Sequence, residues 1–141
     1  MLVFKRELEI GFGDCDPAGI VYYPNYFRFF DTSTAGLFNQ ALGMKQIAWA
    51  KHYNVLGIPM VDTGSRFKKP SRFGDEVTIE TRVTACRTSS FDVEHRLFNG
   101  GELAVEANET RVWVGAGPEG GIRAVPLPAE VVTALGHKPR D

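Results

Sequence analysis

The chain has 141 residues, 11% of them aromatic, and 16 Lys and Arg against 17 Asp and Glu, for a net charge of −1. That length predicts one domain, residues 1–141, able to bury about two thirds of its unfolded surface in a single core. The near-neutral balance argues against nucleic acid or an anionic membrane surface as the main partner. With no run approaching about 18 apolar residues, the expectation is a soluble, cytoplasmic protein.

Met1 to Phe12 carries Lys5, Arg6, Glu7 and Glu9 and has no apolar stretch of the kind a secretion signal needs. Leu8, Ile10 and Phe12 alternate with Glu7, Glu9 and Gly11, which predicts a half-buried strand ending near Phe12. From Pro24 to about Leu42, Tyr26, Phe27, Phe30, Thr34, Leu37, Phe38 and Ala41 recur at helical spacing while Arg28, Thr32 and Asn39 fall opposite. This predicts a long amphipathic helix closed by Gly43. A shorter helix is expected from Gln46 to Tyr53, stopped ahead of Gly57 and Pro59.

The pattern then changes to period two, predicting strands at about Met60–Lys69, Glu76–Arg87, Ser90–Phe98, Leu103–Val114 and Ile122–Val125. Asn99-Gly100-Gly101 reads as a tight hairpin, Gly115 to Gly121 as a looser reversal, and Pro128 to Leu135 as a short helix. Helices segregated from an antiparallel sheet define an α+β domain.

Asp16 precedes Pro17 and is biased to an extended backbone, while Pro17 suits the second position of a turn that Gly19 can close. Pro24 fits the first position of the long helix, making Tyr23 its N-cap and leaving the next amides facing outward. A fixed carboxylate beside free backbone donors offers a base or nucleophile and a stabiliser of carbonyl oxygen charge, the two parts acyl transfer requires. A turn-forming role alone is the plainer reading of Asp16.

The run Asp16-Pro17-Ala18-Gly19-Ile20-Val21-Tyr22-Tyr23-Pro24-Asn25-Tyr26, followed by Phe29-Phe30-Asp31, resembles the active-site segment of the 4-hydroxybenzoyl-CoA thioesterase branch of hotdog-fold acyl-CoA thioesterases. Phe67-Lys68-Lys69-Pro70-Ser71-Arg72-Phe73-Gly74-Asp75 and the tail from Ile122 to Pro128 extend the resemblance more weakly. It implies a hotdog fold, a long central helix wrapped by an antiparallel sheet of five to six strands. It implies hydrolysis of a CoA thioester, with an aromatic, 4-hydroxybenzoyl-like acyl group preferred. Asp16 would attack the carbonyl or activate water, and the carbonyl oxygen would accept a hydrogen bond from the Tyr23 amide. Tyr22, Asn25, Tyr26 and Asp31 would line the substrate. No cofactor is implied, since coenzyme A belongs to the substrate.

Basic residues gather at Arg66, Lys68, Lys69, Arg72, Arg82 and Arg87, either as solvated strand faces or as partners for the three phosphates of coenzyme A. In the resembled branch a basic run before a Ser-Phe pair helps hold those phosphates. Here Arg87-Thr88-Ser89-Ser90-Phe91 keeps one cation, which turns attention to Lys68 and Lys69. Asp14 is expected to bond local amides. Asp31 is read as a subunit-interface group, an acyl-end contact or a solvated helix residue. Cys15 and Cys86 read as reduced thiols without an activating base, and His95 as a packed, hydrogen-bonded histidine. His52, His95, His137 and the cysteines lack metal spacing, and Gly11-Phe12-Gly13 lacks the third glycine of a dinucleotide fingerprint.

A thin sheet around one helix leaves an open edge, and Val77, Ile79, Val83, Val112 and Val114 are expected on its outer face, so a homodimer or homotetramer is expected. The competing readings are a hotdog dehydratase, which needs a histidine facing the acid, and a noncatalytic acyl-CoA binding protein.

Overall fold

The computed structural model describes residues 1–140. Strand β1 (Phe4–Glu9) leads through a 3-10 turn at Phe12–Asp14 into helix α1 (Pro24–Leu42), then α2 (Gln46–His52). Strands β2 (Met60–Phe67), β3 (Glu76–Cys86), β4 (Ser90–Asn99) and β5 (Glu102–Val112) follow. The chain ends with β6 (Val114–Ala116), β7 (Ile122–Ala124) and helix α3 (Ala129–Ala134). The main sheet has five strands in the order β1-β3-β4-β5-β2, every pair antiparallel.

Helix α1 begins at Pro24 and ends where Gly43 turns to φ +66 and its amide bonds back to Asn39 O, the left-handed stop that glycine allows. Its buried stripe is Tyr26, Phe29, Phe30, Ser33, Thr34, Leu37 and Phe38. Arg6 fastens β1 to this helix by donating to Ser33 Oγ at 3.1 Å and to Phe29 O at 3.0 Å. The β4–β5 hairpin turns through Gly100 and Gly101, both at positive φ as a type I′ turn requires, with Asn99 paired to Glu102.

Along β3, Val77, Ile79, Thr81 and Val83 are buried while Thr78, Glu80 and Arg82 are half-exposed. This corrects the expectation that Val77, Ile79, Val83, Val112 and Val114 form an apolar outer face. Val77, Ile79 and Val83 are at most 1% exposed, because α1 covers the side of the sheet to which they point; Val114, 5% exposed, is buried in β6, outside this sheet, and Val112 is half-buried. The outer side carries ion pairs instead: Arg82–Glu94 at 2.6 Å, Arg96–Glu94 at 3.2 Å and Lys5–Glu80 at 3.5 Å. Of the two edge strands, β1 and β2, the more exposed is β2, nearly all of it accessible, with Val61 at 61% and Phe67 at 49%.

The core divides into two clusters. One surrounds Ile10, Tyr26, Phe29, Phe30, Val77, Ile79 and Leu97 at the start of α1. The other surrounds Leu37, Phe38, Trp49, Phe91 and Trp113 at its end, where the indoles of Trp49 and Trp113 stack with centroids 5.5 Å apart. The strand expected over Leu103–Val114 breaks at Trp113. Its amide donates to Ser89 O and its carbonyl accepts from Val125 N, so β6 leaves the sheet and pairs with β7 in a separate ribbon. Burying the Trp113 indole against Trp49 and Phe38 accounts for the departure. Phe12, expected on a buried strand face, is 80% exposed, because the chain enters the 3-10 turn and sets its ring edge-on to Phe73.

Candidate active site

The Asp16 turn forms as the sequence predicts: Gly19 N donates to Asp16 O at 2.9 Å and Gly19 sits at φ +80. The Asp16 carboxylate accepts from Ala18 N at 2.9 Å through Oδ1, which fixes its direction. Its Oδ2 has no hydrogen-bond partner among the described residues. The chain returns antiparallel, Cys15 opposite Val21, Asp16 N donating to Ile20 O and Tyr22 N to Asp14 O. That return brings Tyr23 back beside the segment leading into Asp16.

Asp14 is the frame of this turn. Its carboxylate accepts from Gly11 N at 2.8 Å and from Arg28 Nη2 at 2.6 Å, bonding a local amide as expected. Its carbonyl accepts from Asn25 Nδ2 at 2.8 Å, so Asn25, expected to touch substrate, spends its amide on the turn. Behind it, the Pro70–Asp75 loop supports the return: Val21 N donates to Ser71 O, Gly74 N to Ile10 O, and Ile20 bridges Arg72. Asp75 closes that loop by accepting from Asn99 Nδ2 and Arg72 N, both at 2.9 Å, and these bonds hold its carboxyl below the usual range.

Tyr23 is the N-cap of α1 with Pro24 following, as expected. The next amides do not face outward: Asn25 N donates to Tyr22 O and Tyr26 N to Tyr23 O. The reason is that Tyr23 itself has helical dihedrals, φ −54 and ψ −34, so the first turn begins a residue early and consumes them. The Tyr23 N–H is left without an acceptor among the described residues. Tyr22 and Tyr23 are exposed and meet edge-on, and Tyr23 packs against Phe67 of β2 with centroids 6.4 Å apart. Tyr26 lies inside, 4% exposed and against Phe67 and Phe30; burial raises its phenol pKa, with bonds to Ser71 opposing.

Asp31 lies on the exposed side of α1, its carboxylate 67% accessible and held by Arg111 Nη2 at 2.8 Å. Lys68 and Lys69 follow β2 at the Tyr23 end and pair loosely with Glu106 at 3.5 Å and Glu102 at 3.2 Å. Arg87 is elsewhere. It sits at the far end of β3 from the Asp16 loop, about 33 Å away for ten strand steps, so one chain does not bring the two together. Its guanidinium is also committed, to Asp92 at 2.6 and 3.0 Å and to Ser90 Oγ at 2.8 Å, and the Asp92 bond raises its pKa.

Sequence reasoning missed a buried polar chain. His95 is packed and hydrogen-bonded as expected, between Thr81 Oγ1 at 2.7 Å and Glu109 Oε2 at 3.1 Å. Glu109 and Arg111, 3% and 6% exposed, continue from it. Burial alone would raise the Glu109 pKa, but His95 and Arg111 outweigh it and bring the carboxyl to about 2. The available signal was two charges, Glu109 and Arg111, on the inward-facing phase of a strand that also carries Ala107 and Val105.

A long helix wrapped by one antiparallel sheet, with a turn-held acid ahead of that helix, defines a hotdog enzyme domain. The chain belongs to the Thioesterase-like superfamily, whose family model matches residues 10–135. It is 34% identical over 131 residues to the 4-hydroxybenzoyl-CoA thioesterase of Pseudomonas sp. strain CBS-3, covering 89% of this chain and 92% of that protein. The structure of that enzyme matches with a TM-score of 0.87, covering 94% of this chain and 98% of the other at 31% identity. The structure of BH1999, a gentisyl-coenzyme A thioesterase, matches with a TM-score of 0.81 at 30% identity over 94% and 99% of the two chains. A 1,4-dihydroxy-2-naphthoyl-CoA hydrolase from Thermosynechococcus vestitus is 27% identical over 107 residues, 74% of this chain and 70% of that one.

Proposed function

We propose that this protein is an acyl-CoA thioesterase that releases coenzyme A and the free acid from an aromatic, 4-hydroxybenzoyl-like thioester. The observation that carries the reading is the pairing of a turn-fixed Asp16 carboxylate, one oxygen free, with the unpartnered Tyr23 N–H at the head of α1. Asp16 attacks the thioester carbonyl, expelling the coenzyme A thiolate and forming a mixed anhydride that water hydrolyses to the free acid and the Asp16 carboxylate, or it takes a proton from the attacking water and passes it to the leaving thiolate. The Tyr23 N–H donates a hydrogen bond to the carbonyl oxygen and stabilises the negative charge that develops there. Coenzyme A departs as the thiol, and no cofactor enters.

Asp31 belongs to the acyl end of this reading. It lies eight residues past Tyr23, about 12 Å along the helix axis; two hydrogen bonds of about 2.9 Å leave roughly 6 Å, the length of one para-substituted benzoyl group. The relatives named above act on hydroxylated aromatic acyl thioesters, which supports the same class here. Tyr22 and Lys68 and Lys69 border the same face and are assigned to the substrate's coenzyme A portion, and Arg87 would contribute from a second protomer.

The reading includes a homodimer joined at the exposed β2 edge, an unpaired row of backbone donors and acceptors with Val61 and Phe67 beside it. A homotetramer would add a second contact between two such dimers, with the ion-paired outer face, Arg82 and Arg96 on Glu94, available for polar pairing. The free cysteines Cys15 and Cys86 accord with a cytoplasmic location, and no helix among the described residues is long and apolar enough to cross a membrane.

A dehydratase needs a histidine opposite the acid. His95 is buried in the polar chain, His137 Nε2 lies 2.7 Å from Val83 O, and His52, the last residue of α2, meets the Tyr53 ring edge-on. The test is release of coenzyme A thiol by purified protein from aromatic, short-chain and long-chain acyl-CoAs. Turnover is expected to be highest with hydroxylated benzoyl thioesters. Binding of acyl-CoA without thiol release from any of them overturns the enzyme reading.

A further inference from the structure

We infer that Arg111 is a positioning residue for substrate selection, a buried guanidinium that fixes the Asp31 carboxylate at the surface as acceptor for a hydroxyl group on the acyl portion. The inference deepens the thioesterase reading and rests on it. Arg111 donates from Nε to Glu109 Oε1 at 2.8 Å, from Nη1 to Ile58 O at 3.0 Å and from Nη2 to Asp31 Oδ1 at 2.8 Å. Because the guanidinium is a rigid planar fork, fixing Nε and Nη1 aims Nη2.

Glu109 is itself held. Thr34 Oγ1 donates to its Oε1 at 2.8 Å, and His95 Nε2 lies 3.1 Å from its Oε2, with Thr81 Oγ1 2.7 Å from the other ring nitrogen. A continuous line of hydrogen bonds therefore runs from β3 through β4 and β5, under α1, to a carboxylate in solvent. An exposed ion pair ordinarily contributes less than about 1 kcal/mol, so Asp31 alone gives no reason to bury an arginine. Burying Arg111 and Glu109 also incurs a desolvation penalty that apolar residues would avoid. What the arrangement produces is a surface carboxylate with one oxygen fixed and the other open.

Its location fits selection. Arg111 is paired in register with Met60, the first residue of β2, while Phe67 at the other end of β2 packs on Tyr23. Asp31 follows Pro24 by seven residues, two helical turns, and so lies on the same side of α1. The carbonyl-binding amide and the anchored carboxylate thus mark the two ends of the strip where α1 runs beside the edge strand.

The experiment compares kcat/KM for 4-hydroxybenzoyl-CoA and benzoyl-CoA, which differ by one hydroxyl group. In the unaltered protein the ratio is expected to favour the hydroxylated thioester. Arg111→Met is expected to reduce the ratio about tenfold or more, the weight of one charge-assisted hydrogen bond, through KM for the hydroxylated substrate. Benzoyl-CoA, with no hydroxyl group for Asp31 to accept, should lose markedly less in kcat/KM than 4-hydroxybenzoyl-CoA. Arg111→Lys should recover part of the ratio, and Asp31→Asn with Arg111→Met should match Asp31→Asn alone. If Arg111→Met fails to fold with Glu109 left uncompensated, Arg111→Met with Glu109→Leu removes both buried charges and takes the same measurement. Equal losses for the two substrates, an unaltered ratio, or no preference in the unaltered protein would each overturn the inference. Should neither thioester be hydrolysed, the thioesterase reading fails, and the ratio of calorimetric dissociation constants for the same two ligands decides the role of Arg111.

Discussion

Gly36 of α1 leaves a notch that the Phe4 ring of β1 fills: a Cβ placed on residue 36 would stand 2.6 Å from both Cε2 and Cζ of that ring. A helix-interior glycine ordinarily lowers stability by about 1 kcal/mol relative to alanine, so its presence here reflects close packing. Gly36→Ala is expected to destabilise by about 1–3 kcal/mol in urea unfolding, as overpacking does. Adding Phe4→Ala should recover part of that loss, and a more stable Gly36→Ala variant would show the ring free to move.

Asp16→Asn keeps an acceptor for Ala18 N and so preserves the turn, while removing the charge. A loss in kcat of about 10²–10⁴-fold with unchanged thermal unfolding is expected. Asp31→Asn is expected to act mainly through KM. If Asp31→Asn is the inactive variant and Asp16→Asn turns over normally, the acid assignment is reversed.

Replacing the amide between Tyr22 and Tyr23 by an ester removes the one unpartnered N–H at the head of α1. Losing one such donor lowers kcat by about 10²–10³-fold with little effect on KM. Tyr23→Phe, which keeps the amide, should stay close to normal. Semisynthetic protein and steady-state kinetics make the comparison.

The Glu109 carboxyl is held at about 2 against an ordinary 4.5. Because the folded value is the lower one, the stability it contributes is present above about pH 4.5 and is lost as pH falls toward 2, about 3 kcal/mol in all. Glu109→Gln should flatten that part of the stability–pH curve. It should also be less stable at pH 7 by about 3–5 kcal/mol, since Arg111 stays buried beside a neutral partner. Urea titrations at pH 3, 5 and 7 test both statements.

Val61→Pro puts a ring without an N–H on the exposed edge strand, at its register irregularity between Met60 and Asp62. In light scattering the unaltered chain is expected at the mass of a dimer and the variant at that of a monomer. A monomeric, fully active unaltered protein would refute edge pairing.

The order of elements was legible because local chemistry writes it. Pro24 and Gly43 bracket α1, period-two alternation marks β3 and β4, and the paired glycines at 100 and 101 set a hairpin. The Asp16 turn was legible for the same reason: proline, glycine and a short acid act within four residues. What the alternation leaves open is which side of a strand faces the helix. Val77, Ile79 and Val83 could be placed on one face from the sequence, but only packing against α1 decided that this face is the core. Asn25 and Tyr26 show a similar gap, their amides consumed because Tyr23 adopts a helical conformation that its residue type does not impose.

By itself, then, the sequence determined the turn that presents Asp16, the start of α1 at Pro24 and the antiparallel strands, because these depend on dihedral preferences and spacing within a few residues. Only the tertiary structure decided that Asp31, Arg111, Glu109 and His95, with 80 positions between the first and the last, form one hydrogen-bonded line. No local rule relates a helix residue to strands so far along the chain. Their meeting is fixed by strand register and by the depth at which α1 lies on the sheet, and burial in a low dielectric then makes each charge depend on its neighbour.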